Sequence, residues 1–188
     1  MLVPLFLAAG EEPHAVFTRR CTGLRRHAGE ISFPGGRRDP EDADLSVTAL
    51  REAEEEIGLA REEVRLLGQL EPTPTWVTNY VIHPFVALIP AGRAWELSPQ
   101  EVDAVLELPV RVLQKSRTRT RMERRGIEFE TDAYVVGEHL IWGATARILE
   151  NLLAQIDELL AKARELMSRP PPARPQGSPT PSTSRHSS

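Results

Sequence analysis

The chain has 188 residues, of which 40% are hydrophobic and 27% charged, and its net charge is −4 at pH 7. That is enough apolar material for the core of one domain plus appendages. A single cysteine, Cys21, excludes an internal disulfide and suits a cytoplasmic protein, and no apolar run is long enough to cross a membrane.

The first element, "LVPLFLA", is apolar like the centre of a signal peptide, but it lacks a preceding positive region and contains Pro4, so it reads as an opening strand. Val16–Arg20 reads as a second strand, whose alternation sends Arg19 and Arg20 to opposite faces. A helix follows through "LREAEEEIGL", where Leu45, Ala49, Ala53 and Ile57 form one apolar stripe widened by Leu50. Beyond it, "EVRLLGQL", "VIHPFVALI", "AVLEL" and "IEFETDAYVV" have the β-branched and apolar content of strands between Gly and Pro punctuation. A second helix is expected over "EHLIWGATARILENLLAQIDELLAKARELM", because Leu149, Leu152, Leu153, Ile156, Leu159, Leu160, Ala163 and Leu166 recur at helical spacing. The mixed order implies an α+β fold with a mixed β-sheet. The boundaries are a domain over 1–153, a helical extension over 154–167 and a disordered Pro/Ser-rich tail over 168–188. The stripe continuing past Ala154 outlasts what a compact domain needs, so it is expected to pack on another subunit as a homodimer contact. Trp142 is expected in the core.

The first helix concentrates Glu52, Glu54, Glu55 and Glu56 within little more than one turn. Like charges at this spacing repel, so the cluster needs solvent or a cation. Glu54 points away from the apolar stripe and suits a solvated face with Arg61 as a partner. Glu52, Glu55 and Glu56 converge where the helix meets the body of the protein, and partly buried carboxylates call for a compensating cation. A hard, oxygen-seeking ion such as Mg²⁺ fits. A calcium loop starting at Asp42 fails, because Val47 and Ala53 occupy the positions that require Gly and Glu. A zinc site fails because Cys21 stands alone and His14, His27, His83, His139 and His186 are scattered.

From Gly36 through "REAEEEIGL" the sequence resembles the Nudix box, G-x5-E-x7-R-E-U-x-E-E-x-G-U, with U a bulky apolar residue. Arg51, Glu52, Glu55, Glu56, Gly58 and Leu59 fall on its fixed positions, and Ala53 fills a U position. The stretch from Gly36 to Arg51 is one residue longer than the pattern, and Asp42 stands where Glu is expected. Asp42 is either the upstream acid of the box or part of the helix entry with Asp39, Glu41 and Asp44. The resemblance implies a Nudix fold, an α/β/α sandwich, and hydrolysis of a diphosphate joined to a nucleoside, with Mg²⁺ or Mn²⁺ as cofactor. It implies Glu52, Glu55 and Glu56 as metal ligands and Arg51 as the organiser of the carboxylates. Glu101 and Asp103 are candidates for a general base recruited from outside the box.

A second motif precedes the box. "VFTRRCTGLRRHAGEISFPGG" is similar to the segment L-L-T-x-R-(S/A)-x3-R-x3-G-x3-F-P-G-G of coenzyme A pyrophosphatases. Thr18, Arg20, Arg25, Gly29, Phe33, Pro34, Gly35 and Gly36 are all in register. This resemblance implies coenzyme A or a derivative as the small-molecule substrate, with Arg20, Arg25, Gly29, Gly35 and Gly36 in its binding site. Arginine suits phosphate because its planar fork donates two parallel hydrogen bonds, and a protein of net charge −4 must gather positive charge locally to attract such an anion. Arg19, Arg26 and Arg38 read instead as surface charges. The glycines suit either close backbone approach to phosphate or tight turns.

The basic run "RVLQKSRTRTRMERR" raises a nucleic-acid alternative, since Arg117, Arg119 and Arg121 share one strand face. It lacks interleaved aromatic residues, and a charged hairpin is the more economical reading. Two other functions stand beside coenzyme A hydrolysis: a Nudix hydrolase for ADP-ribose or a dinucleotide, and a noncatalytic RNA-binding protein on the same scaffold.

Overall fold

A computed structural model describes residues 1–21, 29–75, 80–124 and 126–168 of the chain. Eleven strands and four α-helices are found among them. The main sheet contains β1 (Leu2–Leu7), β2 (Pro13–Arg20), β3 (Ile31–Ser32), β4 (Arg65–Gln69), β7 (Phe85–Leu88) and β8 (Val102–Pro109). Its order is β3-β2-β1-β7-β4, with β8 on the other side of β2. β1 runs parallel to β7, with Leu2 opposite Phe85, while the other pairings are antiparallel, so the sheet is mixed. A two-stranded ribbon, β5 (Thr73–Pro74) and β6 (Val81–Ile82), and a three-stranded sheet, β9 (Arg117–Arg124), β10 (Ile127–Val136) and β11 (His139–Trp142), complete the β-structure.

Both faces of the main sheet are covered, and β1 shows why. Successive side chains of a strand point to opposite faces, so Leu2 and Phe6 enter one apolar cluster while Val3 and Leu5 enter another. The first cluster is closed by α1 (Leu45–Ile57) through Ala49, Ala53 and Ile57, all fully buried. The second is closed by α3 (Gly143–Ala154) and α4 (Ile156–Ser168) through Leu149, Leu152, Leu159 and Leu160. A short helix, α2 (Val110–Lys115), adds Val110 and Leu113 to it. The expected α/β/α sandwich follows from this two-sided burial.

α1 matches its sequence pattern in detail. Asp44 caps its start, accepting hydrogen bonds from Ser46 N at 2.8 Å and Val47 N at 3.0 Å. Gly58 ends it in the left-handed region, φ 67°, where a Cβ would also meet Glu96 Cβ at 2.7 Å. The C-terminal region departs from expectation. Glu138–Trp142 does not begin the helix: residues 139–142 form β11, and Gly143, at φ 65°, turns the chain into α3. Helical spacing cannot mark this strand-to-helix turn, because "HLIW" is apolar enough for either element. The expected single helix is also broken at Gln155 into α3 and α4.

The break lets α4 fold back onto its own domain. Ile156, Leu159, Leu160 and Ala163 are buried in the chain's own core. Arg65 Nη1 donates to Leu166 O at 3.1 Å, and Lys162 Nζ donates to Leu67 O, which ties α4 to β4. The stripe expected to pack on another subunit is therefore satisfied within the chain. No helix among the described residues is long and apolar enough to cross a membrane, and the Pro/Ser-rich tail beyond Ser168 lies outside the described residues.

Truncating Leu160 to Ala should destabilise the folded chain by roughly 2–4 kcal/mol, as for a buried leucine whose site only partly collapses. Because the contact is intramolecular, denaturant midpoints of wild type and variant should be independent of protein concentration. A midpoint that rises with concentration would instead place α4 in an intersubunit contact.

Candidate active site

The site forms where the segment after β3 runs past the start of β1 and against α1. Leu2 N donates to Pro34 O at 2.9 Å, and Phe33 stacks on Phe17 with ring centroids 4.4 Å apart, so the "FPGG" turn is anchored on both sides. This anchoring brings Gly35 and Gly36 against two helix carboxylates. Gly35 N donates to Glu56 Oε2 at 3.2 Å, and a Cβ on Gly36 would fall 2.2 Å from a Glu52 carboxylate oxygen. Gly35 itself has φ 149°, and a Cβ there would lie 2.6 Å from Met1 Cα. The two glycines therefore permit close approach of backbone to carboxylate and to β1.

Glu56 is the pivotal group. It is only 3% exposed, and its partners are the Gly35 N–H and the Arg20 guanidinium, whose Nη1 stands 4.0 Å from Oε1. Burial pushes its carboxyl up to about 7, reinforced by the charges of Glu101 and Glu52 and opposed by Gly35 and Arg20. Burial also raises Glu52 above the usual glutamate range, against the pull of Arg51. Arg20 Nε is itself buried and has no hydrogen-bond partner among the described residues. One wall thus combines an undercompensated carboxylate with an underused guanidinium.

Arg51 organises the remaining acids. Its Nε and Nη2 reach Asp42 Oδ1 and Oδ2 at 3.1 and 3.0 Å, a two-pronged ion pair. Nη2 also donates to Arg37 O at 3.0 Å, while Nη1 lies 3.1 Å from Glu52 and 3.0 Å from Glu55. Asp42 is buried and also accepts from Thr48 Oγ1 at 2.8 Å and Asp39 N at 3.0 Å. These contacts, led by the Arg51 pair, hold its carboxyl far below the usual aspartate range. Asp42 thus anchors Arg51 and, through Asp39 N, the helix-entry loop. The residue that caps α1 is Asp44.

The other expected residues divide. Glu54 pairs with Arg61 at 2.9 Å on the solvent face, as expected. Glu55 was expected at the junction with Glu52 and Glu56 but is 58% exposed, because its position on the helix turns it outward onto Arg51. Gly29 has φ 72°, and its N–H donates to Arg20 O. Arg25 lies outside the described residues. Arg19 pairs with Asp103 at 2.7 Å, which occupies that acid, and Arg38 donates to the carbonyls of Asp42 and Ala43. Glu101 comes near the site: Ser98 N donates to Glu56 O, Cys21 N donates to Glu101 O, and its charge acts on both Glu52 and Glu56.

Two features escaped the sequence. Trp142, expected in the core, is half-buried and lines a cavity that begins beside Arg20 and Gly35. Tyr80, half exposed, carries the Arg37 guanidinium 4.8 Å above its ring. The arginine stripe of β9 is neutralised across the hairpin: Arg117 pairs with Glu150 at 2.7 Å and Asp132 at 3.8 Å, and Arg119 and Arg121 lie near Glu130. That pairing leaves little net charge for a nucleic-acid backbone.

Among the described residues, no three His, Cys, Asp or Glu side chains stand together as a ready-made metal site. The donor chemistry nevertheless fits a hard divalent ion, since Glu52 and Glu56 offer oxygen ligands and Glu56 carries a buried charge short of compensation.

A NUDIX domain model matches residues 2–127. The chain belongs to the Nudix family. It is 39% identical over 147 residues to the uncharacterized Nudix hydrolase NudL of Photorhabdus laumondii subsp. laumondii, covering 77% of this chain and 78% of that protein. It is 37% identical over 158 residues to NudL of Yersinia pestis strain Pestoides F, covering 83% and 78%. Among solved structures, a Nudix hydrolase of Alicyclobacillus acidocaldarius aligns with a TM-score of 0.52 at 21% identity, covering 82% of this chain and 89% of that one. A C. elegans Ap4A hydrolase aligns with a TM-score of 0.50 at 15% identity, covering 89% and 96%. Both structural likenesses support the Nudix fold.

Glu56→Gln should stabilise the metal-free protein at pH 8, because it removes a buried charge at nearly constant shape and keeps an acceptor for Gly35 N. A carboxyl raised from the ordinary value to about 7 contributes stability below its unfolded pKa, and that stability is lost as pH rises through 7. The gain should therefore be about 1–3 kcal/mol at pH 8 and fall below about 1 kcal/mol at pH 5. Urea denaturation at the two pH values checks it, and a gain equal at both would contradict the burial account.

Proposed function

We propose that this Nudix hydrolase cleaves the diphosphate of coenzyme A or its derivatives, releasing 3′,5′-ADP and 4′-phosphopantetheine or its acylated form. The observation carrying this reading is the position of Arg20. It belongs to the segment that resembles coenzyme A pyrophosphatases, and its guanidinium stands 4.0 Å from Glu56, a carboxylate of the Nudix helix. Substrate motif and catalytic helix meet in one wall.

Glu52 and Glu56, with Glu55 beside them, would hold Mg²⁺ or Mn²⁺. An ion held by these carboxylates would supply neutralisation of phosphate oxygens and activation of a water nucleophile. The chain's own residues do the rest. Arg20, which faces Glu56 and lines the adjoining cavity, offers its accessible guanidinium N–H groups to a diphosphate oxygen in a charge-assisted bond. Arg51, fixed by Asp42, holds Glu52 and Glu55 in place. Glu101 accepts the proton of the attacking water, since Asp103 is committed to Arg19. The water oxygen forms a new P–O bond, the bridging P–O bond breaks, and each product leaves as a phosphomonoester.

Purified protein incubated with coenzyme A and Mg²⁺ or Mn²⁺ should release both products, resolved by chromatography. Glu56→Gln should abolish turnover while remaining folded. Glu101→Gln should lower kcat by roughly 10²–10⁴ with KM little changed, as for loss of a general base. Cleavage of ADP-ribose or a dinucleotide in preference to coenzyme A would contradict the substrate assignment, and undiminished kcat in Glu101→Gln would remove Glu101 from the reaction.

A further inference from the structure

The cavity that begins at Arg20 and Gly35 runs between β10–β11 and the first turn of α3, with a volume of about 780 Å³, within the range that encloses a drug-sized ligand. Its walls are predominantly apolar. Phe129 and Trp142 form one side, with ring centroids 6.3 Å apart and planes tilted by 44°, and Ile82 and Ala144 contribute to the remaining wall. None of these residues takes part in the chemistry proposed above.

Charge decides which end of the substrate belongs here. Four carboxylates line the cavity, Glu30, Glu130, Asp132 and Glu150, against three guanidiniums, Arg20, Arg117 and Arg147. Arg117 is engaged by Glu150 and Asp132, and Arg147 donates to Pro74 O. Glu130 in turn faces Arg119 and Arg121, so a 3′-phosphate carrying roughly −1.5 to −2 charges would enter a mostly apolar space whose guanidiniums Arg117 and Arg147 are already engaged. The pantetheine arm is uncharged, with amide carbonyls spaced along an aliphatic chain. The first turn of α3 lines the cavity and has no side-chain cap, and such a turn leaves backbone N–H groups in want of acceptors. Amide carbonyls supply acceptors without charge, and a thioester-linked acyl chain extends along apolar walls.

We propose that this cavity takes the pantetheine side of the substrate together with its acyl group, so that the enzyme prefers acylated over free coenzyme A. The inference rests on the coenzyme A reading above and adds the orientation of the substrate. The diphosphate lies at Arg20 and Glu56, pantetheine and acyl group extend toward Trp142, and 3′-phosphoadenosine lies outside the cavity. Burial of acyl methylenes raises affinity by at most roughly fourfold each.

The test compares kcat/KM for coenzyme A, acetyl-coenzyme A and hexanoyl-coenzyme A in wild type and in Ala144→Phe, which projects a large side chain into the cavity from the first turn of α3. The wild-type value should rise at least tenfold from coenzyme A to hexanoyl-coenzyme A, and Ala144→Phe should cut that advantage below threefold. Calorimetry with the two products separates orientation from turnover. Ala144→Phe should weaken hexanoyl-4′-phosphopantetheine at least tenfold while shifting 3′,5′-ADP less than threefold, and Ile82→Phe should give the same pattern if the first variant does not fold. If no coenzyme A compound is cleaved, the hydrolase reading fails, and sensitivity of hexanoyl-4′-phosphopantetheine binding to these variants still supports the cavity assignment. Indifference to acyl length, equal weakening of both products, or selective weakening of 3′,5′-ADP overturns it.

Discussion

A carboxylate held out of water with too little positive charge nearby is the constraint around which this site is arranged. Glu56 is fixed by helix geometry: it sits one turn from Glu52 and directly before the fully buried Ile57, so it cannot turn to solvent without unpacking the helix. Its hydrogen bond from Gly35 and the guanidinium of Arg20 offset part of the desolvation cost, yet burial still dominates and raises its pKa to about 7. A group in that state gains strongly from any cation that enters. The burial that makes Glu56 unfavourable in the empty protein is what would make it an effective ligand.

Arg51 handles the other acids in a different way. It satisfies Asp42, the Arg37 carbonyl, Glu52 and Glu55 at once. Because Asp42 occupies two of its donors and is itself held by Thr48 and Asp39, the guanidinium is oriented before substrate arrives. The one-residue lengthening of the box is absorbed in this loop. Asp42 reaches back to Arg51 from the helix entry, and the spacing of the helix carboxylates is undisturbed. Glu52 is thereby engaged by Arg51, whereas Glu56 has the Gly35 N–H and the Arg20 guanidinium as its partners.

Much of this was legible in the residues. The apolar stripe of α1 predicted which face packs, and the alternation of β2 separated Arg19 from Arg20. Those features depend on local periodicity. What could not be read depends on long-range placement. Helical spacing carried on through "HLIW" and Gln155, so it missed β11 and the break that returns α4 to its own core. Trp142 looked like core because aromatic residues usually are, and only the pairing of β10 with β11 places it on a cavity wall. The glycines of "FPGG" were open to close approach of phosphate or to a tight turn, and their contact with Glu52 and Glu56 appears only once β1, α1 and the turn are brought together. Pairing of the β9 arginines with acids of β10 and α3 was equally invisible without the hairpin register.

Glu56 is a buried carboxylate with its pKa raised to about 7, and a divalent ion bound beside it would complete its charge balance. Calorimetric titration of the wild-type protein with Mg²⁺ at pH 6 and pH 8, beside Glu56→Gln, tests it directly. With a carboxyl titrating at about 7, the ion must displace a proton at the lower pH, so affinity should fall about tenfold from pH 8 to pH 6 with proton release detectable through buffer ionisation heat. Glu56→Gln should lose most of the affinity and all of this pH dependence. Mg²⁺ binding that is unchanged between the two pH values, or retained at full strength in Glu56→Gln, would contradict the claim.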